Sequence, residues 1–265
     1  MMCSDTQLFS TVFTCCLCES DVSITWDATP MHLPEEMQRQ VSRFWMSLPK
    51  DYIYNGQLAR LESWSLDSSS CRLDLRPSDY RTLVYSNAHV EQIQQTWGAH
   101  YLSRALGISA VLVSADKNLV FMRRSHTVGE FPGCYDVFGG HIDNPTNGQV
   151  PNVFVSMAQE LEEETGMQQS DFDLRLIGLI ESTPNQKPEL VFIANAVLSR
   201  ESILSRAYEA KDHLEFTEVH TLKNELKHIK PFLKAHQSEF SPSAFGSFCV
   251  YMRTCLFDMR ASRGN

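Results

Sequence analysis

The spacing of apolar residues separates helices, with a period near 3.6 residues, from strands, with a period of 2. Leu8, Val12 and Phe13 suggest a strand, and Leu33, Met37, Val41, Phe44, Trp45 and Leu48 recur at helical spacing behind Pro34, a residue suited to a first helical turn. Residues 53–64 and 71–75 predict short strands split by the turn-rich run Asp67-Ser68-Ser69-Ser70. From Ile108 the texture changes, and residues 108–114 and 118–123 predict two buried strands joined as a hairpin by Ala115-Asp116-Lys117. A loop punctuated by Gly and Pro covers 126–133, followed by an extended segment at 135–138, the pair Gly139-Gly140 and a polar loop to Pro151. A helix is expected over 152–165, closed by Gly166, the residue favoured just past a helix end. Strands at 174–181 and 190–197 and helices at 222–236 and 243–257 complete the reading, the last with Phe245, Phe248, Cys249, Met252 and Leu256 on one stripe. There is no internal repeat and no linker between the halves. An α+β unit over residues 1–102 is therefore expected to pack on an α/β unit over 103–265.

Composition narrows the function. The 265 residues are 43% hydrophobic, ample for a sizeable core in one large domain or one and a half. A net charge of -9 leaves no broad basic surface to hold a nucleic-acid backbone, so a phosphorylated ligand needs a local basic pocket or a bridging cation. The apolar stretch 8–17 is interrupted by Ser and Thr and far shorter than a bilayer span, so neither a signal peptide nor a membrane helix is expected. Eight cysteines raise the question of zinc or disulfides, but Cys15, Cys16 and Cys18 are crowded, and Cys3, Cys71, Cys134, Cys249 and Cys255 are scattered. Idle thiols in a reducing compartment fit this pattern, and the expected location is cytoplasmic, with the nucleus as a second compartment.

The chemistry concentrates in Ala158-Gln159-Glu160-Leu161-Glu162-Glu163-Glu164-Thr165-Gly166. At about 100° per residue, Glu160, Glu163 and Glu164 share one edge of the helix, Leu161 and Phe154 face the apolar side, and Glu162 points away. Like charges at this spacing oppose one another, and their place in the C-terminal half sets them against the negative end of the helix dipole. A divalent cation removes the conflict, and hard oxygen ligands suit Mg²⁺. Taken alone, the helix favours the plainer reading of a solvated acidic face.

Its context is more specific. A strand, a Gly-Gly turn and a carboxylate helix in series resemble the Nudix box, G-x5-E-x7-R-E-U-x-E-E-x-G-U. Gly140 stands as its first Gly, and Glu160 to Met167 match its second half in full. The step from Gly140 to Glu160 is 20 residues, five longer than the pattern's 15, so the loop after Asp143 is extended and the early Glu has no counterpart. Gln159 replaces the box Arg. These departures resemble the uridine diphosphate glucose pyrophosphatase branch of the Nudix superfamily, as do Leu119 to Ser125, Pro132-Gly133, Asp136-Val137 and Gly139-Gly140-His141. The likeness extends to Leu73-Asp74-Leu75, Tyr80-Arg81, Asn87 and Pro242-Ser243-Ala244. The resemblance implies a Nudix fold, a mixed β-sheet sandwiched between helices, with an N-terminal α+β extension packed on it and a box spanning about 139–167.

It also implies an activity: Mg²⁺-dependent hydrolysis of UDP-glucose, and of UDP-galactose, to UMP and hexose 1-phosphate, with no nucleic-acid or membrane partner. Glu160 and Glu164, one turn apart, are the expected metal ligands. Glu163 beside them is either a further ligand, a water-orienting group or base, or an exposed surface residue. Arg124 is the expected phosphate clamp, and strand alternation sends its neighbour Arg123 to the opposite face. Asp136, His141 and Asp143 match positions that receive sugar or ribose hydroxyls. Tyr54 and Tyr80 match aromatic positions of the nucleotide pocket, with core packing as the alternative. Gly129 is expected to present backbone to the ligand and Ser243 a hydroxyl or helix N-terminal amides. Two other readings remain: a Nudix pyrophosphatase for a dinucleotide, coenzyme or capped RNA, and a Nudix fold kept as a non-catalytic binding module.

Overall fold

The computed structural model describes residues 8–49, 53–145 and 149–257, so Cys3 and residues 146–148 of the extended loop fall outside it. Eight strands make the larger sheet. Its order is β1 (Phe9–Leu17), β9 (Phe172–Ser182), β10 (Pro188–Ala196), β5 (Gly107–Val113), β6 (Asn118–Arg124) and β11 (Phe216–Lys223). Two short strands, β7 (Tyr135–Asp136) beside β6 and β8 (Phe138–His141) beside β5, complete it. All pairings are antiparallel except β10 with β5, so the sheet is mixed. A second sheet places β4 (Cys71–Asp79) between β2 (Val22–Trp26) and β3 (Gln57–Leu66).

Strand alternation gives the large sheet two apolar faces. Ile108, Ala110 and Leu112 of β5 enter the core beneath α4 (Val153–Thr165) and α5 (Arg200–Ala207), which the small sheet joins through Leu61, Leu73 and Leu75. Val111 and Val113 face the opposite layer, α6 (Leu226–His236) and α7 (Pro242–Tyr251). A third cluster binds α1 (Glu35–Ser47) to α2 (Tyr80–Ala88) and α3 (Val90–Thr96) through Met37, Val41, Tyr85 and Ile93. The mixed sheet lies between helices, as the box resemblance implies. The N-terminal unit is tied to it by backbone hydrogen bonds from Ala59 to Ile142 and from Leu106 to Ala59.

Local signals set α4. The Asn152 side chain accepts from the amides of Phe154 and Val155, and Gly166 ends the helix in the left-handed region at φ 68°. Met157 and Leu161 are fully buried, and truncating such a side chain typically costs about 2–5 kcal/mol. That anchorage fixes the direction of the carboxylates on the adjoining edge.

Several elements differ from expectation. β1 is an edge strand of the large sheet, paired with β9, and so sits outside the N-terminal unit's own sheet. The helix expected from Leu222 begins at Leu226, because Leu222 and Lys223 pair with β6 and finish β11. Regular α-helix in α7 stops at Tyr251, and wider π-type turns carry the chain to Phe257. Strand β3 begins at Gln57, so Ile53 to Asn55 are loop. The elements β2, α2, α3 and α5 were not anticipated, being short or weakly patterned; Asp79 starts α2 by accepting from the Thr82 amide. No helix among the described residues is long and apolar enough to cross a membrane.

Candidate active site

The cavity arises where two paired strands part. β5 and β6 are joined only at Leu112 with Val120 and Val113 with Leu119, beside their turn. Beyond that point they diverge, and the chain from Tyr135 to His141 fills the gap, pairing first with β6 and then, past Val137, with β5. The double glycine is a steric requirement here. A Cβ on Gly139 would strike the Ile108 carbonyl, and one on Gly140 would strike the Glu160 carboxylate. With both bare, α4 lies close to β8, and the Gly139 amide donates to Glu164 Oε2 at 2.8 Å. The resulting cavity has a volume of about 660 Å³ and is also lined by the 126–133 loop, the segment before β3, the turn between α5 and β11, and Ser243.

One wall is acidic. Glu164, only 2% exposed, is raised well above the usual carboxylate range by burial, reinforced by Glu160 and Glu215. Glu160 is pushed up to about 8 by burial and by repulsion from Glu163, Glu215, Asp143 and Asp212. Burial also raises Asp143, with Glu163 adding to it, and raises Glu215. Glu163 behaves differently: burial opposes its ionisation, but Lys211 at 2.7 Å and the Gln159 amide at 3.0 Å hold it below the usual range. Gln159 therefore braces a box glutamate by hydrogen bonding, without charge.

This donor set fits a divalent cation. Glu160 and Glu164 are hard oxygen donors, sequestered side by side and disfavoured as anions until a cation joins them. Among the described residues no group of three or more His, Cys, Asp or Glu is arranged to hold a metal ion; Mg²⁺ binds through one or two carboxylates plus waters and substrate phosphates.

The other wall is cationic. Arg124 donates from Nε to the Glu130 carbonyl at 2.9 Å and from Nη1 to Asp136 at 3.0 Å, leaving Nη2 uncommitted. Arg123 points away, paired with Glu239 at 2.8 Å and lying 4.4 Å over the Tyr135 ring. The carboxylate of Asp136 is already engaged. Its Oδ2 takes Arg124, while Oδ1 accepts from the Val137 amide and the Ser241 hydroxyl, each at 2.9 Å. It braces the arginine instead of reaching for ligand hydroxyls. Ser241, and not Ser243, caps α7; Ser243 shares a hydrogen bond with it at 3.2 Å and lines the wall.

Behind Arg124 lies a buried network. Lys187 Nζ is 3.2 Å from both Glu130 Oε2 and His141 Nε2, and Asn87 donates to Glu130 Oε1 at 2.9 Å. Burial would raise Glu130, yet Lys187, His141 and Arg124 hold it down at about 2. Burial first, then Lys187, lowers His141 to about 3, so the ring is neutral.

At the rim, Tyr54 is 82% exposed and Leu214 75% exposed, two uncovered apolar groups lining the cavity mouth. Tyr80 lies deeper, packed with Leu58, Leu83 and Ala105, and its hydroxyl fills the place a Cβ would take at Gly129. Thus Tyr54, Tyr80, Arg124, Gly129, Asp136, His141, Asp143, Ser243, Glu160 and Glu163 all line one cavity, with Glu164 directly behind Gly139. Sequence reasoning missed Glu130, Lys187, Glu189, Asp212 and Glu215, which line it too. One signal was available: Lys187 and Glu189 are charges two residues apart at the mouth of the apolar run 190–194, a pattern a buried strand tolerates only with partners. Asp212 and Glu215 sit in a polar turn without distinguishing pattern.

No protein-family model matches the chain. It is 29% identical over 252 residues to Nudix hydrolase 9 of Arabidopsis thaliana, covering 80% of this chain and 81% of that protein. It is 33% identical over 142 residues to the uridine diphosphate glucose pyrophosphatase of Mus musculus, covering 44% of this chain and 46% of that enzyme, so it spans under half of that relative. Among solved structures, a mutT/nudix family protein from Listeria innocua aligns with 60% of this chain and 96% of its own at 16% identity and a TM-score of 0.39. With four-fifths of its length aligned to a curated Nudix hydrolase and the second half of the box intact on α4, the chain is similar to Nudix hydrolases in sequence and carries a mixed sheet between helices.

Proposed function

We propose that the protein hydrolyses the diphosphate bond of UDP-glucose, and of UDP-galactose, to UMP and the hexose 1-phosphate with Mg²⁺ as cofactor. The observation that carries this reading is a single cavity lined by Glu160, Glu163 and Arg124, with Glu164 directly behind Gly139 and Tyr54 at the rim. The partial likeness to a uridine diphosphate glucose pyrophosphatase supports the choice of nucleotide sugar.

In this reading Glu160 and Glu164 hold the metal, which when bound supplies neutralisation of the diphosphate and a lowered pKa for water. Arg124, fixed by Asp136 and the Glu130 carbonyl, offers Nη2 to a phosphoryl oxygen and orients the chain of phosphates. Glu163, held ionised by Lys211 and Gln159, positions the attacking water or takes its proton. Water adds to one phosphorus, the bridging P–O bond breaks, and the elements of water are divided between the two phosphate products. Tyr54 and Tyr80 give the uracil a flat apolar partner from the N-terminal unit, which in this reading is the nucleotide-facing part of the molecule. Gly129 and Ser243 complete the wall around the phosphates.

The test is a panel of UDP-glucose, UDP-galactose, ADP-ribose, NADH and dinucleoside polyphosphates, each with and without Mg²⁺, read out as nucleoside monophosphate. Metal-dependent UMP release, fastest from the UDP-hexoses, is expected. Preferred cleavage of an adenine compound would overturn the uridine assignment, and inactivity throughout would favour a binding module.

A further inference from the structure

One buried acceptor in the cavity has no role in the chemistry above. Glu189 is 4% exposed and lines the cavity. Its Oε1 accepts the Ser109 hydroxyl, but Oε2 accepts no hydrogen bond, with Lys187 Nζ 3.6 Å away. Strand register explains its direction. Glu189 on β10, Gly107 on β5 and His141 on β8 are neighbours across three strands, and the middle one has no side chain. The Glu189 carboxylate occupies the space a Cβ would take at Gly107, so it lies across the glycine toward His141.

The neighbouring donors define what this corner can read. Lysine only donates, so the contact between Lys187 and His141 makes Nε2 the acceptor and leaves the ring proton on Nδ1. Lys187 hydrogen-bonds Glu130 and His141 and lies 3.6 Å from Glu189 Oε2, so its charge is matched by carboxylates on two sides. A corner with matched charge, one open carboxylate oxygen and a neutral imidazole is poorly suited to a second phosphate. It suits a neutral group whose hydroxyls both donate and accept.

We propose that Glu189, steadied by Ser109 and Lys187, is the hydroxyl-reading group of a sugar subsite, accepting at Oε2 from the moiety esterified to the outer phosphate. The proposal rests on the diphosphate-hydrolase reading and names the part of the substrate that reading leaves unassigned. Glu189 determines specificity; Lys187 is a positioning residue that orients it and His141.

The test compares substrates with and without sugar hydroxyls. Full-length wild type, Glu189→Asp and Ser109→Ala are assayed with Mg²⁺ on UDP-glucose and on the methyl ester of UDP. Glu189→Asp keeps the charge facing Lys187 but withdraws the acceptor by one methylene. The ratio of kcat/KM for UDP-glucose over the methyl ester should fall by about ten- to hundredfold in Glu189→Asp and by less in Ser109→Ala. An unchanged ratio, or equal losses on both substrates, would overturn the subsite. Calorimetric binding of glucose 1-phosphate against methyl phosphate provides a readout independent of hydrolysis. A wild-type preference for the sugar phosphate that Glu189→Asp abolishes upholds the subsite even if UDP-glucose is not hydrolysed, in which case only the parent reading falls. No preference in wild type overturns the subsite even where UDP-glucose is turned over.

Discussion

Glu130 in the wall of the cavity and Glu164 directly behind it at Gly139 are both sequestered carboxylates, yet their acidities are driven in opposite directions. Burial and the neighbouring Glu160 push Glu164 well above the ordinary range, whereas Lys187, His141 and Arg124 overcome burial and hold Glu130 at about 2. The fold supplies a cation for one carboxylate and withholds it from the other. A carboxylate paired inside the protein organises the wall, while carboxylates gathered without a cation are those to which the proposed function assigns the metal.

The comparison is broken most severely from the paired side. Lys187→Met leaves Glu130 buried without its main partner, a defect that typically costs about 3–5 kcal/mol. Urea denaturation should show a loss of that order, largely restored by adding Glu130→Gln. A loss under about 1 kcal/mol would mean the pair does not organise the wall. Substitution in the unpaired wall should do the reverse. Glu164→Gln keeps the shape and removes a repelled charge, so the melting temperature should hold or rise, while Mg²⁺-dependent hydrolysis drops by more than about a hundredfold. Mg²⁺ should raise the melting temperature of wild type and not of this variant. Retained turnover would remove Glu164 from the metal site.

A pH titration sharpens the contrast. His141 titrates near 3 in the folded chain against an ordinary 6.5, so an unfolded chain takes up a proton that the folded one refuses. Its contribution is fully present above 6.5 and is lost as pH falls toward 3. Glu130, held at about 2 against an ordinary 4.5, has the same sign in a lower window, present above 4.5 and lost as pH falls through about 2. Glu160, raised to about 8 from an ordinary 4.5, has the opposite sign between those values, so the His141 contribution is read as a difference from a variant that lacks it, with a slope of at most about 1.4 kcal/mol per unit. His141→Asn should remove that component from the limb between pH 6.5 and 4.5, before Glu130 contributes, so that stability relative to wild type rises as pH falls. An unaltered limb in that variant would place the titrating group elsewhere.

The two walls were unequally legible in the sequence for a physical reason. Everything needed to orient the acidic wall is local: the Asn152 cap, the apolar face through Leu161 and the Gly166 stop lie within 15 residues, so helical spacing alone puts three glutamates on one edge. The paired wall is assembled by long-range contacts. Lys187 meets Glu130 across 57 residues, and Ser241 meets Asp136 across 105. No local period reports such pairs, which is why Lys187, Glu130 and Glu189 were missed and Asp136 was assigned to the ligand instead of to Arg124. Fold boundaries failed similarly. Leu222 reads as helical by its downstream neighbours, but its pairing with Leu119 on β6 decides the outcome.

The smallest expected effect tests the same contrast at a single pair of neighbours. Arg123 and Arg124 are consecutive on β6, and strand geometry sends them to opposite sides. Arg124 is committed to Asp136 and Glu130 in the cavity wall, so Arg124→Ala should cost about tenfold or more in kcat/KM. Arg123 instead pairs with a partly exposed Glu239 and lies over the Tyr135 ring, contacts that together amount to about 0.5–1.5 kcal/mol. Arg123→Ala should lower stability by that amount, more so at low salt, because the ion pair is screened while the ring contact persists. Its KM for UDP-glucose should match wild type. If kcat/KM fell in Arg123→Ala as is expected for Arg124→Ala, β6 would carry its charge to the ligand from both faces, and the assignment of the clamp to one arginine would fail.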